Sequence, residues 1–105
     1  MENTGINPIV IQQIRTLAQK YNIKKVILFG SRARGDYKRT SDIDLAASGG
    51  DFNRFALDVD EETSTLLKYD IVNLDMAIQK ELILSIEKEG KTLYEKIWKF
   101  LCCIK

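Results

Sequence analysis

The sequence predicts a mixed α/β (α+β) fold, in which a small mixed β-sheet is flanked by helices. Three observations predict it. Apolar residues recur with helical spacing in several stretches, three short segments have the composition or alternation of strands, and the two patterns alternate along the chain. No repeat, low-complexity tract or linker interrupts the 105 residues, so we expect residues 1–105 to form one domain.

The first predicted helix begins at Asn7, a good capping residue, and Pro8, which is favoured in the first turn. Apolar residues then recur at helical spacing as far as Tyr21. The next segment, KKVILF (residues 24–29), is short and apolar, which is typical of a strand covered on both faces. Gly30 ends this strand.

The second predicted strand is SDIDLAA (residues 41–47), because polar and apolar residues alternate in it. The turn SGGD (residues 48–51) follows, and Asp51 is a suitable N-cap for a helix whose apolar positions extend to Leu67. KYDIVNL (residues 68–74) then predicts a third strand with an aspartate inside it.

The end of the chain is expected to contain one more helix and a short extended piece. Asp75 is expected to cap a helix through residues 76–89, which Gly90 closes. Residues 91–105 are expected to start extended and to finish as an apolar helix. The last apolar side chains would either cover the core or form a docking surface, which leaves homo-oligomerisation open; they are Trp98, Phe100 and Leu101.

The charge balance argues against general nucleic-acid binding. The chain has 16 Lys and Arg against 15 Asp and Glu, whereas a protein that follows a phosphate backbone normally carries a basic excess. No apolar run approaches the ~20 residues needed to cross a bilayer. The N-terminus also lacks the basic start and long apolar run of a secretory signal. We therefore expect a cytoplasmic protein without a membrane span.

Two adjacent cysteines near the end, Cys102 and Cys103, agree with this location, because neighbours in sequence cannot crosslink distant segments. The final CCIK places Cys102 fourth from the end, as in a prenylation box. The terminal lysine lies outside the residues usual at that position, which argues against prenylation.

Two aspartates share one face of the second predicted strand, because residues two apart on a strand project to the same side. The carboxylates of Asp42 and Asp44 can therefore converge on one divalent ion or on a pair of ions. Asp70 would join them if the third strand lies beside the second. Three ionised carboxylates are costly without a cation, and oxygen ligands in this number suit Mg²⁺ or Mn²⁺.

A glycine–serine turn precedes this strand. Gly30 lets backbone N–H groups approach an anion, Ser31 adds a hydroxyl, and the following residues can begin a helix whose first N–H groups favour phosphate. Four cations add positive charge nearby; they are Arg32 and Arg34, the stronger candidates for phosphate contacts, and Lys38 and Arg39. The pattern predicts a triphosphate held by the turn, with metal ions that bridge it to the aspartates.

The same residues allow other interpretations. Gly30 and Gly35 have the spacing of the phosphate-binding loop of nucleotide hydrolases, but Asp36 and Tyr37 stand where that loop requires lysine and serine or threonine. Ordinary structural roles stay open for the rest. The aspartates can be exposed positions on an edge strand, the glycine a strand end, the serine a helix cap, and the cations part of a solvated loop.

The motif resembles that of the nucleotidyltransferase superfamily related to DNA polymerase β. It consists of a Gly-Ser pair at residues 30–31, ten further residues, the pair Asp42 and Asp44, and a later strand aspartate, Asp70. The short length and the segments GSRARGD and IEKEGKTLY resemble the minimal nucleotidyltransferase (MNT) branch. The resemblance extends over residues 26–94.

This resemblance implies a role for each motif residue. Gly30 and Ser31 would bind the β- and γ-phosphates of ATP, and Asp42 and Asp44 would hold two Mg²⁺ ions, or Mn²⁺ in their place. Asp70 would complete the second metal site near an acceptor hydroxyl, which attacks the α-phosphorus and releases pyrophosphate. The chain has no histidine, so Asp70 is also the expected base.

The MNT branch includes antitoxins of bacterial and archaeal toxin–antitoxin pairs, whose partner is a HEPN-type ribonuclease. The resemblance therefore implies transfer of AMP from ATP to a tyrosine hydroxyl of such a toxin. Two alternatives stay open: a non-catalytic module that binds its partner, and transfer to a small molecule or a nucleic-acid end. The sequence does not identify the residues that would select the base of the nucleotide.

Overall fold

The computed structural model of the chain describes residues 4–76 and 78–96, which form one four-stranded sheet with helices on both faces. The helices are α1 (Pro8–Lys20), α2 (Ser31–Arg34), α3 (Phe52–Glu62) and α4 (Lys80–Glu89). The strands are β1 (Lys25–Phe29), β2 (Ile43–Ser48), β3 (Tyr69–Asn73) and β4 (Lys91–Glu95). The order across the sheet is β3-β2-β1-β4, with β1 antiparallel to β2 and β4, and β2 parallel to β3.

Helices α1 and α3 cover one face of the sheet and form the larger apolar core with it. Ile14 of α1 and Phe55 of α3 have no exposed area, and they belong to one cluster with Val26 of β1 and Leu45 of β2. The caps predicted for both helices are present. The Asn7 side chain accepts a hydrogen bond from the Ile9 N–H at 2.9 Å, and Asp51 accepts one from the Arg54 N–H at 3.3 Å.

Helix α4 covers the opposite face through a smaller cluster. Ile86 packs there with Phe29 of β1 and Ala46 of β2. Strand β1 therefore buries side chains on both faces, as its unbroken apolar sequence predicts. Asp42 and Asp44 project to the same side as Ala46, because these positions are two residues apart. The candidate carboxylates consequently lie on the sheet face that α4 covers, nearer the start of β2 than Ala46, on which Ile86 packs.

The predicted extent of α3 is wrong. The helix ends at Glu62, and Thr63 adopts an extended backbone with φ −86° and ψ 152°. The hydroxyl of Thr63 donates to the Val59 carbonyl at 2.8 Å and lies 2.7 Å from the Tyr69 hydroxyl, which fixes the exit from the helix. Leu66, expected on the apolar face of the helix, is fully exposed in the loop that precedes β3.

The predicted start of α4 is also wrong, because Asp75 does not cap the helix. Its carboxylate accepts a hydrogen bond from the N–H of Gly49 at 2.7 Å, and Gly49 lies in the turn between β2 and α3. The helix begins at Lys80, after Gln79. Gly90 follows α4 as predicted, and it permits close packing because a Cβ there would lie 2.4 Å from the Ile86 carbonyl oxygen.

The predicted C-terminal helix lies outside the described residues, and so do Trp98, Phe100, Leu101, Cys102 and Cys103. Within residues 4–76 and 78–96, no helix has both the length and the apolar character that a bilayer span requires.

Candidate active site

Three carboxylates lie on neighbouring strands at one end of the sheet. Asp44 lies in β2 and is paired directly with Asp70 of β3, the parallel neighbour of β2. Asp42 is two residues before Asp44 and therefore projects to the same face. The sequence could not establish this arrangement, since it required β3 to pair with β2 in one particular register.

The local electrostatics show that the three carboxylates influence one another. Burial raises the pKa of Asp44, and the negative charges of Asp70 and Asp42 raise it further. The positive charge of Arg34 acts in the opposite direction. A carboxylate in this environment gains stability from a divalent cation, and the oxygen donors are those that Mg²⁺ and Mn²⁺ prefer.

The side chains do not form a ready-made metal centre. Among the described residues, no three acidic, histidine or cysteine side chains converge closely enough to hold an ion. Repulsion between like charges keeps such oxygens apart when no cation is present. The donor chemistry of Asp42, Asp44 and Asp70 fits a hard divalent ion, and a bound ion would draw these carboxylates together.

The glycine–serine turn lies directly against this cluster. Gly30 follows β1 with φ 77°, and a Cβ at this position would be 2.2 Å from Oδ2 of Asp44. Helix α2 begins at Ser31. The Ala33 and Arg34 N–H groups donate to the Gly30 carbonyl, whereas those of Ser31 and Arg32 have no acceptor within the helix. The structure thus places a backbone suited to phosphate beside the carboxylate of Asp44.

Replacing Gly30 by alanine is expected to displace Asp44 and to lower at least about tenfold the nucleotidyl transfer that the family resemblance implies, because positioning errors of an ångström are costly in catalysis. The Gly30 backbone, with φ 77° and ψ −158°, lies in a region that essentially only glycine adopts, which adds about 1–3 kcal/mol of strain. Gly35→Ala is the matched control, since Gly35 has φ 96° but nothing within 4 Å of its Cβ position. Gly35→Ala should lose less stability than Gly30→Ala in urea unfolding, because its Cβ meets no neighbour. Equal transfer rates in the two variants would contradict the role of Gly30.

Arg32 is buried, and this contradicts its predicted phosphate contact. The residue is only 2% exposed, although it belongs to the basic turn. Its guanidinium donates to four backbone carbonyls, those of Thr4, Lys38, Arg39 and Ser41, at 2.9–3.4 Å. Its Cζ atom also lies 4.9 Å from the centre of the Tyr37 ring. Arg32 therefore organises the loop between α2 and β2 and does not present its charge to a ligand.

Arg34 is exposed, unlike Arg32, and its charge reaches the carboxylate cluster. Its Nη1 lies 2.9 Å from Oε1 of Glu89, and its Nε lies 3.2 Å from Oδ2 of Asp36. Its side chain is 44% exposed, and its charge acts on Asp44. Glu89 was not singled out from the sequence, because it lies 55 residues away and only the packing of α4 brings it here.

A cavity of about 440 Å³ opens next to Asp42. It is lined by Thr40, Asp42, Leu66, Leu67 and Lys68. Lys68 lies directly before β3 and two residues before Asp70, and no motif in the sequence singles it out. The three lining residues before β3 were not predicted as site residues.

The comparisons with known proteins agree with this geometry. The family model described as "Polymerase beta, Nucleotidyltransferase" matches residues 12–97, which include all three carboxylates and the turn. The chain belongs to this nucleotidyltransferase family. The predicted family and the predicted fold class are both confirmed.

One curated relative of this nucleotidyltransferase comes from Methanocaldococcus jannaschii and bears the name "Putative protein adenylyltransferase". The two sequences are 39% identical over 93 residues, which cover 77% of this chain and 90% of the relative. A second relative from the same organism has the same description and is 42% identical over 40 residues, which cover 38% of this chain and 46% of that relative.

Solved structures share the nucleotidyltransferase fold. A crystal structure of a toxin–antitoxin with AMP-PNP matches with a TM-score of 0.66 and 23% identity, over 88% of this chain and 78% of that one. A structure of a tri-AMPylated HEPN toxin from Shewanella oneidensis in complex with its MNT antitoxin has a TM-score of 0.59 and 20% identity, over 89% and 76%. At 20–23% identity, these similarities establish a shared fold only.

Proposed function

We propose that this nucleotidyltransferase moves AMP from ATP to a tyrosine hydroxyl of a HEPN-type toxin and thereby acts as an antitoxin. The observation that carries the proposal is the pairing of Asp44 with Asp70, with Gly30 packed against the Asp44 carboxylate. It joins a candidate phosphate-binding turn to three acidic side chains at a single place. The name of the adenylyltransferase relative and the MNT antitoxin structures support the choice of donor and partner.

In this proposal the turn binds the leaving part of the nucleotide. The N–H groups at the start of α2 and the Ser31 hydroxyl bind the β- and γ-phosphates, and the absent side chain of Gly30 lets these phosphates approach the backbone. Arg34 adds positive charge near these phosphates. Its ion pairs with Asp36 and Glu89 hold the guanidinium in place before the nucleotide binds.

Asp42 and Asp44 would hold two Mg²⁺ ions, and Asp70 would complete the second site. When bound, such ions neutralise charge on the phosphates and lower the pKa of a coordinated hydroxyl. Asp70 accepts the proton of the acceptor hydroxyl, since the chain contains no histidine for this purpose. The hydroxyl oxygen then bonds to the α-phosphorus as the bond to the β-phosphate oxygen breaks, and pyrophosphate leaves.

The proposal is tested by incubating the chain with a HEPN-type toxin encoded beside it, Mg²⁺ and each of the four nucleotides labelled at the α-phosphate. We expect label on a toxin tyrosine with ATP and no transfer after chelation of the metal. Mass spectrometry of the labelled peptide identifies the modified residue. Absence of transfer with all four nucleotides would refute the proposed activity, and label on an RNA added to a parallel reaction would replace the proposed acceptor.

A further inference from the structure

The cavity beside Asp42 lies on the opposite side of the catalytic strand from the phosphate-binding turn. Strand β2 has β1 on one side and β3 on the other. Gly30 and Ser31 directly follow β1, whereas Leu66, Leu67 and Lys68 directly precede β3. The two features therefore flank the carboxylates of β2 at the same end of the sheet, because β1 is antiparallel to β2 and β3 is parallel to it.

The reaction itself requires such a separation. In an in-line displacement at phosphorus, the attacking oxygen enters opposite the leaving oxygen. If the turn at Gly30 and Ser31 holds the leaving pyrophosphate, the nucleophile must approach from the β3 side. The cavity and Asp70 lie on that side.

We propose that this cavity is the acceptor subsite, that it receives a polypeptide segment carrying the acceptor hydroxyl, and that Lys68 selects segments with an acidic side chain beside that residue. The inference rests on the proposed function and extends it to the recognition of the acceptor. It assigns no part of the cavity to the nucleotide.

The lining chemistry favours an aromatic residue within a peptide. Leu66 and Leu67 form an apolar wall, and Leu66 is fully exposed, so an apolar side chain that enters the cavity gains buried area there. Thr40 and Asp42 add polar groups to the same lining. A phenol suits this mixture, because its ring is apolar and its hydroxyl needs a polar partner.

Lys68 carries the predicted charge preference. It directly precedes β3, two residues before Asp70, and lines the cavity together with Asp42. These carboxylates repel an acidic segment, and the exposed ammonium of Lys68 offsets that repulsion at the rim of the cavity. A basic residue next to the acceptor would meet the like charge of Lys68.

The test uses the full chain with Mg²⁺ and a non-hydrolysable ATP analogue, and two synthetic tyrosine peptides that differ only in flanking glutamates or lysines. Amide NMR titration should show the acidic peptide binding about tenfold more tightly, with shifts at residues 40–42 and 66–68. Lys68→Glu should reverse the order of the two affinities, and Leu66→Ser should weaken both. The matched controls are Lys80→Glu and Leu57→Ser, which change exposed residues of α4 and α3 and should change nothing.

Three outcomes would overturn the inference. They are binding of neither peptide, an unchanged preference in Lys68→Glu, and a loss of affinity for the ATP analogue in Leu66→Ser, which would assign the cavity to the nucleoside. The proposed function fails separately, if the unaltered chain transfers no label to the toxin. If transfer occurs but both variants keep the KM for the toxin, the acceptor subsite alone is wrong.

Discussion

Replacing Asp42 and Asp44 together by asparagine is expected to reduce nucleotidyl transfer by more than about a thousandfold, since both candidate metal sites lose their charged ligands. The asparagine side chains keep the size of the originals, so the packing at Gly30 is retained. Label transfer from α-labelled ATP measures the effect. The control is Asp60→Asn with Glu61→Gln, which removes two exposed charges from α3 and should leave the rate unchanged.

The same double variant separates the enzyme from a non-catalytic binding module. If transfer neutralises the toxin, cells that carry the variant and the toxin should stop growing, although the two proteins still associate. Full neutralisation by the variant would contradict the catalytic proposal and establish binding as the function. Co-purification of the variant with the toxin must be measured in parallel, because loss of association would also stop growth.

Asp44→Asn alone is expected to stabilise the metal-free protein. The pKa of Asp44 is raised in the folded state, so folding favours its protonated form, and stability falls as pH rises from its ordinary value near 3.8 through the raised one. At neutral pH the ionised carboxylate therefore opposes folding, and asparagine removes that penalty. We expect a rise in Tm of about 2–5 °C at pH 7, after allowance for solvent screening.

The difference in Tm between Asp44→Asn and the unaltered chain should shrink at pH 3, where the carboxylate is protonated. Mg²⁺ should raise the Tm of the unaltered chain more than that of the variant, because binding to the folded state alone adds stability. Thermal melts with and without the ion measure both effects. A variant that is less stable than the unaltered chain at pH 7 without metal would contradict the repulsion among the three aspartates.

Replacing Arg32 by leucine is expected to cost about 3–5 kcal/mol of unfolding free energy, although the residue belongs to the basic turn. Its buried guanidinium serves four backbone carbonyls, and leucine leaves these acceptors without their donors. A small domain has only about 5–15 kcal/mol in total, so the variant should be close to unfolding. Urea denaturation followed by circular dichroism measures the loss.

Arg34→Leu is the informative comparison, because it removes the same charge two residues away. Arg34 is 44% exposed and its ion pairs are at the surface, so the loss of stability should be much smaller than that of Arg32→Leu. Affinity for ATP should fall instead, since this cation acts on Asp44. Equal destabilisation by both substitutions would show that the burial of Arg32 contributes little to stability.

Much of the architecture was predictable from local patterns. The alternation in β2 places Asp42 and Asp44 on one face, and the caps at Asn7 and Asp51 mark the starts of two helices. These features depend on neighbours in the chain and on the period of a helix or strand. The family resemblance also rests on such local spacing, and the comparisons confirmed it.

The errors arose where distant parts of the chain compete for the same residue. Asp75 resembles a helix cap, but the Gly49 N–H on the adjacent turn binds it instead. Leu66 fits the apolar spacing of α3, but Thr63 ends that helix through its hydrogen bonds to Val59 and Tyr69. Arg32 has the composition of a phosphate ligand, and only the folded loop shows that carbonyl groups surround it.

The sequence by itself determined the order of elements, the family, and the shared face of Asp42 and Asp44, because each follows from residues close together along the chain. Only the tertiary structure decided that Asp70 lies beside Asp44, that Arg32 is buried whereas Arg34 is exposed and acts on Asp44, and which residues line the cavity. Strand register, burial and long-range packing depend on the energy of the whole core, which cannot be calculated from a local sequence pattern.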